Sequence, residues 1–574
     1  MVQSNKLRYE FGPFCVDTRE RQLLRGGTVV RLTPKVFDIL LTLVQNHGRI
    51  LGKDEVMKLV WTDTAVEEAN LTRNISTLRK ALGEKPRERQ YIETIPWRGY
   101  RFVAKVKEVR DQSINSALDS VAVLPLVNAS NDSEMEYLSD GITDSLINNL
   151  SQLSKLKVMS RNSVFRYKVQ DLKSIPPDAQ KVGQELGVQA VLTGRVVKHD
   201  DDLFMSVELI DARDNSHRWG AQYGRKLTDI FTLQETIARE IAENLHLHLT
   251  GEDQQRLRKR CTENNEAYQL YLKGRYYFNK LMPEGVQKGI EYFRRAIDED
   301  PRYALAYTGL GDCYTYLAKP ADAREAVVRA LELDQTLGEA HASLGFFRFL
   351  YDWDWPEAEK QFRQAIELKP NYAEAHHWYA IYLANLGRHD EALIEAKRAQ
   401  ELDPLSLLMN MTPGLVLYPA RRYDEAIEAF QKVIEMESNF MAAHSMLGMS
   451  YEQKRMYEKA IAEYQKVLDI SGENADVKTS IMLLLARTYA ACEDRKEAIK
   501  IVEGLSKESQ STSYFIAEVY AVLGEKELAF AYLDKAFKER NPQLVCVKVD
   551  PALDGLRTET SRFGDLLQRM EFDG

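Results

Sequence analysis

The sequence predicts a multidomain, mainly α protein: an N-terminal α+β domain over residues 1–108, a central α/β domain over 119–250, a C-terminal α-solenoid of helix pairs over 267–542, and a capping helix within 543–574. Three observations predict it. The chain has 574 residues, several times the roughly 100–200 of a single domain. Its apolar period changes along the chain, from strands with brief helices, to a strand and helix mixture, to helix pairs alone. In the last part small residues recur at a spacing near 34, the mark of stacked supersecondary units.

Composition is that of an ordinary globular protein, 44% hydrophobic and 28% charged with 17 Pro and 30 Gly, which excludes collagen-like and disordered chains. The formal net charge is −9, but it is unevenly placed. Residues 1–110 carry 21 Lys+Arg against 13 Asp+Glu, a local +8, and the remainder 56 against 73, or −17. A basic head on an acidic body points to two different jobs. The five cysteines (Cys15, Cys261, Cys313, Cys492, Cys546) lie far apart, with no CxxC pair and no His cluster at metal-ligand spacing. They read as core residues of a reducing compartment, and no metal or cofactor is expected. The N-terminus has no signal-peptide pattern, and the longest apolar runs, Val121–Val127 and Ile481–Ala486, fall far short of the roughly 20 residues of a membrane span. A cytoplasmic, untethered protein is expected.

In the head, Leu7, Tyr9 and Phe11 alternate with Arg8 and Glu10, and Gly26-Gly27 turns the chain before Val29-Val30, giving a small antiparallel sheet. Thr33-Pro34 is an N-cap with proline at the first helical position, and Val36, Leu40, Leu43 and Val44 share the face that follows. A second helix runs from Lys53 to Trp61. A third, from Glu68 to Leu82, places Leu71, Ile75, Leu78 and Leu82 on one side, with Gly83 just past its end. A hairpin closes the domain, Tyr91–Ile95 and Tyr100–Val106, turned by Pro96-Trp97-Arg98-Gly99. With the leucines inward, Arg73 and Lys80 point outward, Ser76 and Thr77 beside them and Asn74 and Arg79 on the flanks. Such a face supplies phosphate partners and base-edge donors, although a charged stripe by itself is usually only a solvated face.

The assembly is more specific. Leu32-Thr33-Pro34-Lys35-Val36-Phe37-Asp38-Ile39-Leu40, Trp61, Asn74-Ile75-Ser76-Thr77-Leu78-Arg79-Lys80-Ala81-Leu82 and Tyr91 through Phe102 resemble the winged-helix DNA-binding domain of the OmpR/PhoB type, over about the first 106 residues. The resemblance implies that the third helix enters the major groove of promoter DNA while the hairpin reaches the minor groove with Arg98 at its tip. It places Arg73, Thr77 and Lys80 at bases or nearby phosphates, and Trp61, Asn74, Arg79 and Tyr100 mainly at the DNA backbone, with Ser76 and Arg101 among the contacts. Ser76-Thr77 stands where a pair of arginines is common in relatives, so the recognised sequence should differ. The pattern begins by about Leu7, so no receiver domain is expected before it, and no membrane span follows it.

After a polar linker near 111–118, Val121–Leu126 reads as a buried strand, Ser139 as the cap of a helix carrying Ile142, Leu146, Leu150 and Leu153, and Leu156–Ser160 as another strand. Pro177–Leu186 follows as a helix stopped by Gly187; Ala190–Lys198 and Leu203–Asp211 form a hairpin across Asp200-Asp201-Asp202, with a strand near Arg218–Tyr223 and one long helix over Thr228–Leu249. Val121-Ala122-Val123-Leu124-Pro125-Leu126, Tyr137 through Thr143 and Ala190 through Val196 resemble the amino-terminal domain of TolB-like proteins, which implies a module of assembly or sensing. Asp140, Asp144 and Asp200–Asp202 have no calcium-loop spacing and read as capping and turn residues.

In the solenoid, Gly289, Ala323, Ala358, Ala392, Ala426, Ala460, Ala498 and Ala529 recur with a second series, Gly274, Gly311, Gly345, Ala380, Gly414, Gly448, Ala486 and Ala517, in the preceding helix. Phe293, Val327, Phe362, Ala396, Phe430, Tyr464, Val502 and Leu533 follow the first series by four, and proline closes several units. This is the tetratricopeptide (TPR) pattern, eight repeats over about 267–542. Stacked pairs leave a concave surface available for a protein partner or a second copy of the chain. Tyr307, His341, His376, Asn410 and His444, at one equivalent first-helix position, are the candidates to project into it, against the plainer reading that they pack between helices.

Ser154-Lys155-Leu156-Lys157 spells Ser-x-x-Lys without its companion motifs, and no phosphate loop, dinucleotide fingerprint or nucleophile elbow is present; no enzyme is expected. The sequence therefore predicts a bacterial, cytoplasmic DNA-binding regulator of the phosphorelay family's DNA-binding type, with a TPR solenoid for protein interaction or self-association. The alternative is a TPR scaffold whose winged helix touches protein rather than DNA.

Overall fold

The computed structural model describes the chain except residues 1–6, 19–21, 27, 31, 62–67, 85–89, 111–117, 131–134, 154, 169–176, 200–201, 227–229, 246, 248, 259–260, 281, 318, 473, 506–511 and 573–574. It comprises two compact units, Met1–Ala117 and Leu118–Gly574. Gly27, Ser154, Asp200, Asp201, Thr228 and the linker over 111–117, all used in the sequence reading, lie outside the described residues.

In the first unit, β1 (Leu7–Phe11), β2 (Phe14–Asp17), β3 (Gln22–Arg25) and β4 (Thr28–Val30) form the expected meander. Then come α1 (Pro34–Gln45), β5 (Ile50–Leu51), α2 (Lys53–Val60), α3 (Glu68–Ala81), β6 (Ile92–Ile95), β7 (Gly99–Phe102) and β8 (Lys107–Arg110). Strand β8, too polar to be read as a strand from sequence, returns to pair antiparallel with β1. Thr33 holds the N-cap position of α1 in extended conformation, with Pro34 in its first turn. Leu40, Leu43 and Val44 of α1 meet Leu71, Ile75 and Leu78 of α3 in one core, none more than 1% exposed. Each such side chain contributes about 1.5–3 kcal/mol on burial, so packing of its apolar face, more than propensity, holds α3 in place. The aromatic rings of Phe11, Phe14, Tyr91 and Phe102 join the meander to the hairpin, Phe11 meeting Phe102 edge-on at 4.9 Å.

The second unit opens with β9 (Ser120–Val123), β10 (Val127–Asn128), α4 (Glu136–Ser151), β11 (Lys157–Val158), α5 (Arg161–Phe165), α6 (Ala179–Leu186), β12 (Ala190–His199), β13 (Asp202–Asp211) and β14 (Ser216–Lys226). The sheet order is β11-β9-β12-β13-β14, with β10 beside β12. Strand β9 is buried along its whole length because parallel neighbours flank it on both sides. Two expectations are corrected. Ser139 does not cap α4: the helix begins three residues earlier, burying Tyr137 and Leu138, and Ser139 donates to the Glu136 carbonyl at 3.1 Å within the first turn. The long helix over 228–249 is instead α7 (Ile230–Asn244) followed by α8 (Gly251–Arg258). Thr250 and Asp253 cap α8 reciprocally, backbone N–H to side-chain oxygen at 2.9 and 3.1 Å, which restarts the helix at that point.

Eight helix pairs follow among the described residues, from α9 (Asn265–Phe278) with α10 (Pro283–Glu299) to α23 (Ser513–Val522) with α24 (Lys526–Lys538). The small-residue series of the first helix proves to be mated to the series that begins at Phe293 on the second. A Cβ added at Gly274, Gly345, Gly414 or Gly448 would come within 2.5–3.0 Å of the ring of Phe293, Phe362, Phe430 or Tyr464. Where the facing residue shrinks to Ala396, Val502 or Leu533, the first helix carries Ala380, Ala486 or Ala517 instead; Gly311 against Val327, 2.8 Å from an added Cβ, is the exception. The end of the chain is two 3-10 turns, Pro542–Cys546 and Pro551–Leu556, then α25 (Thr560–Arg569), rather than one helix. This segment packs back on the third repeat: Trp355 donates its indole N–H to the Met570 carbonyl at 2.7 Å and stacks on Phe572 at 4.2 Å.

Candidate nucleic-acid interface

Helix α3 shows an inner and an outer face. Leu71, Ile75 and Leu78 are buried, while Arg73, Ser76, Thr77 and Lys80 are exposed in one stripe that runs about 10 Å along the axis. The Thr77 hydroxyl donates to the Arg73 carbonyl at 3.1 Å and the Asn74 amide to the Asn70 carbonyl at 2.8 Å, leaving the acceptor oxygens of both side chains open. Arg73, Lys80 and Arg98 make no ion pair among the described residues.

The remaining candidates have partners inside the domain. Arg79 donates to the Ile92 carbonyl at 2.9 Å and to Thr94 at 2.8 Å, and lies 3.5 Å from the Glu84 carboxylate. Glu84 in turn accepts from the backbone N–H groups of Tyr91 and Ile92. Arg79 and Glu84 thus tie the end of α3 to the base of the hairpin. Tyr100 is 3% exposed and belongs to the core. Arg101 pairs across the strands with Glu93 at 2.6 Å. Trp61 ends α2, half-buried under the Lys35 ammonium, which donates to the Val60 carbonyl at 2.8 Å. At the start of α3, the Glu68 carboxylate pairs with Lys53 and holds its ammonium above the ordinary value.

The hairpin tip is shaped by two left-handed residues. Gly99 has φ +138°, and a Cβ there would lie 1.9 Å from the Leu51 carbonyl oxygen, so no side chain fits. Trp97 has φ +65° with its side chain fully exposed. Sequence reasoning passed over Trp97 and Glu84. The signal for Trp97 was a large ring in a turn, where a small polar residue is the usual occupant.

The solenoid candidates follow the plainer of the two readings, packing within the repeat. His341, His376, Asn410 and His444 each face the carbonyl six residues earlier, that of Gln335, Pro370, Pro404 or Ser438, at 2.8–3.0 Å, and Tyr307 reaches that of Pro301 at 3.5 Å. The other ring nitrogen of each histidine faces Gln361, Glu395 or Glu463 on the second helix. The shared slot is a tie between loop, first helix and second helix, not a projection into an open groove.

The central domain covers part of the solenoid, at the first helix of the first repeat and at the turns after the third and fourth repeats. Ser145 of α4 shares a hydrogen bond with Tyr268 of the first repeat at 2.7 Å, Asn148 accepts from Lys369 at 3.0 Å, and Asn371 donates to the Leu156 carbonyl at 2.7 Å. Ser163 of α5 donates to Asp403 at 2.5 Å. Further along, Arg487 is fully buried between Glu452 at 2.9 Å and Glu518 at 2.7 Å. Burial, with Asp550 nearby, pushes the Glu518 carboxyl well up, and Tyr514 donates to Asp550 at 2.7 Å. Asp140 and Asp144 are paired with Lys168 and Arg161.

A sheet, three helices and a hairpin define a winged helix, whose third helix carries a cationic stripe without an ion pair among the described residues; here it is joined to an α/β domain and a TPR solenoid. The first two domains match models of transcriptional-regulator families, and the third the tetratricopeptide repeat. The model "Transcriptional regulatory protein, C terminal" matches residues 27–102, "HilA/YgeH-like transcriptional regulator, second domain" matches 116–239, and the tetratricopeptide repeat matches 349–406 and 414–475. The elements that prompted the TolB-like resemblance lie within the second of these. A protein of Rhizobium meliloti (strain 1021) designated as a candidate adenylate cyclase is 31% identical over 48% of this chain, so the chain spans less than half of that relative, 42%. The transcriptional regulator HilA of Salmonella typhi is 24% identical over 72% of this chain and 74% of its own. Among solved structures, the DNA-binding domain of E. coli CadC is 30% identical, covering 18% of this chain and all of that one, with a TM-score of 0.17. No helix among the described residues is long and apolar enough to cross a membrane.

Proposed function

We propose that the chain is a cytoplasmic, sequence-specific DNA-binding regulator whose α3 stripe reads the major groove and whose hairpin tip reaches the adjacent minor groove. The observation that carries this reading is the set Arg73, Ser76, Thr77, Lys80 and Arg98, exposed together on one domain while its other candidates are spent on internal ties. The bidentate pattern of Arg and the short hydroxyls of Ser76 and Thr77 suit base edges, and Lys80 suits phosphate. Trp97 beside Arg98 adds an apolar surface for the sugars of the minor groove.

In this reading the solenoid holds the central domain at its first helix and at the turns after its third and fourth repeats, and offers the rest of its surface to a protein partner or a second copy. The scaffold alternative is the weaker one, because the first-helix position expected to capture a partner is occupied by intramolecular bonds. No catalysis is assigned; conversion of ATP to a cyclic nucleotide by the purified protein would overturn that part. The central test is a genome-wide binding map of the full chain. A shared sequence motif is expected, lost in Arg73→Ala with Arg98→Ala, and half-site spacing in that motif distinguishes a dimer from a single copy. Absence of any motif would refute the reading.

A further inference from the structure

The chain beyond residue 110 is acidic, but not evenly so. Residues 256–295 hold ten Lys+Arg against four Asp+Glu, a local +6, while the rest of that part holds 46 against 69. The excess falls mainly on the first helix pair, α9 and α10. Two of its cations are spent internally: Arg275 pairs with Asp312 at 2.8 Å, and Arg294 donates to the Tyr314 hydroxyl at 2.7 Å.

Four others gather on one pair of rings. Tyr277 near the end of α9 and Tyr292 of α10 stack at 5.4 Å with their planes 4° apart. The ammonium groups of Lys280 and Lys288 each lie 5.2 Å from the Tyr277 centroid, and Arg295 and Lys273 lie 5.5 and 6.0 Å from that of Tyr292. Lys280, Lys288 and Arg295 are exposed and Lys273 is half-buried; none of the four makes an ion pair among the described residues. Glu284 and Glu291 stand four residues before Lys288 and Arg295 on α10, yet pair with neither. Cation–π attraction holds the four on the rings, while like charges this close repel one another, so an approaching polyanion gains from all four at once.

The surface also selects among polyanions. No two of the four charges are more than about 17 Å apart along the rings, a length over which duplex DNA carries about ten phosphates. Cations over both rings leave no bare apolar centre of the kind found in the core of a protein–protein interface. The three ammonium groups are point charges, suited to phosphate oxygens rather than to base edges.

We propose that the first TPR pair makes a second, sequence-independent contact with the phosphates of duplex DNA, through Lys273, Lys280, Lys288 and Arg295 around the Tyr277–Tyr292 stack. The inference rests on the DNA-binding reading above for its ligand, but on no residue of α3 or the hairpin. The winged helix then selects the sequence, and the repeat adds affinity that salt removes.

The test compares full-length proteins by fluorescence anisotropy on a labelled duplex of arbitrary sequence. Replacing the four residues by Gln should lower the slope of log K against log salt by about 3.6, at roughly 0.9 per charge; between 50 and 200 mM salt the natural protein then loses about 150-fold more affinity than the variant. The same change at Arg329, Lys360, Lys466 and Lys500, exposed on other repeats and each paired with a glutamate, should leave the slope nearly unchanged. Thermal unfolding shows whether each variant is folded. A slope untouched by the four substitutions, or lowered as much by the control set, overturns the proposal. Arg73→Ala with Arg98→Ala separates it from the reading of α3: that pair should abolish the shared motif yet keep the salt-dependent binding that the four Gln substitutions remove. If poly-L-glutamate displaces the duplex from that double variant as well as DNA does, charge for charge, the surface belongs to an acidic protein and the proposal fails. A protein that keeps its motif while its slope ignores the four substitutions refutes the second contact alone.

Discussion

Arg73, Lys80 and Arg98 are the exposed cations on α3 and the hairpin tip that have no ion-pair partner among the described residues, whereas Arg79 and Arg101 are committed to Glu84, Thr94 and Glu93. If the stripe docks on DNA, each of the three charges enters the field of the phosphates, whichever atoms its side chain bonds, and displaces about one counterion. Replacing all three by Gln should lower the slope of log K against log salt by about 2.7, at roughly 0.9 per phosphate. Between 50 and 200 mM salt the natural protein would then lose about fortyfold more affinity than the variant. Arg101→Gln removes the same formal charge from a site already neutralised by Glu93 and should change the slope far less. Fluorescence anisotropy of a labelled genomic duplex over a salt series measures the slopes, and thermal unfolding serves as the control, since exposed substitutions shift stability by only about 0.5 kcal/mol. Parallel slopes for the triple variant and the natural protein, or an Arg101→Gln effect as large as that of Arg73→Gln, would refute the docking argument.

Three further outcomes concern the framework. Burial alone pulls His377 down to about 4, so on acidification the unfolded chain takes up a proton first, near 6.5; stability is full above pH 6.5 and about 3 kcal/mol is lost by pH 4. Denaturant titrations at both pH values should show that loss reduced in His377→Gln. Arg487→Met strands Glu452 and Glu518 in the interior and should cost about 3–5 kcal/mol, largely recovered when both glutamates become Gln; differential scanning calorimetry decides. Gly99→Ala forces a Cβ against the Leu51 carbonyl at a left-handed φ and should destabilise the hairpin by more than about 1 kcal/mol, read as faster amide exchange at Phe102 and in β5.

Much of the fold was legible because its causes are local or periodic. Leu71, Ile75 and Leu78 announce the inner face of α3 by spacing alone, and the Gly/Phe and Ala/Ala pairings of the repeats record in sequence how close two helices must come. What was not legible is non-local. Nothing in Lys107–Arg110 reveals that β1 needs a fifth-strand partner, and nothing near Tyr268 or Asn371 reveals that α4 and the turn after it will be bonded there. The split of the helix over 228–249 was readable in principle, since Thr250 and Asp253 spell a capping box, but apolar periodicity outweighed it. In the candidate interface, periodicity identified Arg73, Ser76, Thr77 and Lys80 as outward, but could not separate them from Arg79, whose partners are 13 and 15 residues away.

The same limit explains the histidines of the solenoid. A repeat conserves a slot within one chain for either of two reasons: the slot packs the unit, or it captures a ligand that is itself repetitive. His341, His376 and His444 differ from Asn410 in chemistry, yet all four reach the carbonyl six residues back. A slot that accepts imidazole or amide for the same internal bond is selected for closing its own loop. Recognition in this solenoid then falls to positions that vary between repeats, not to this slot.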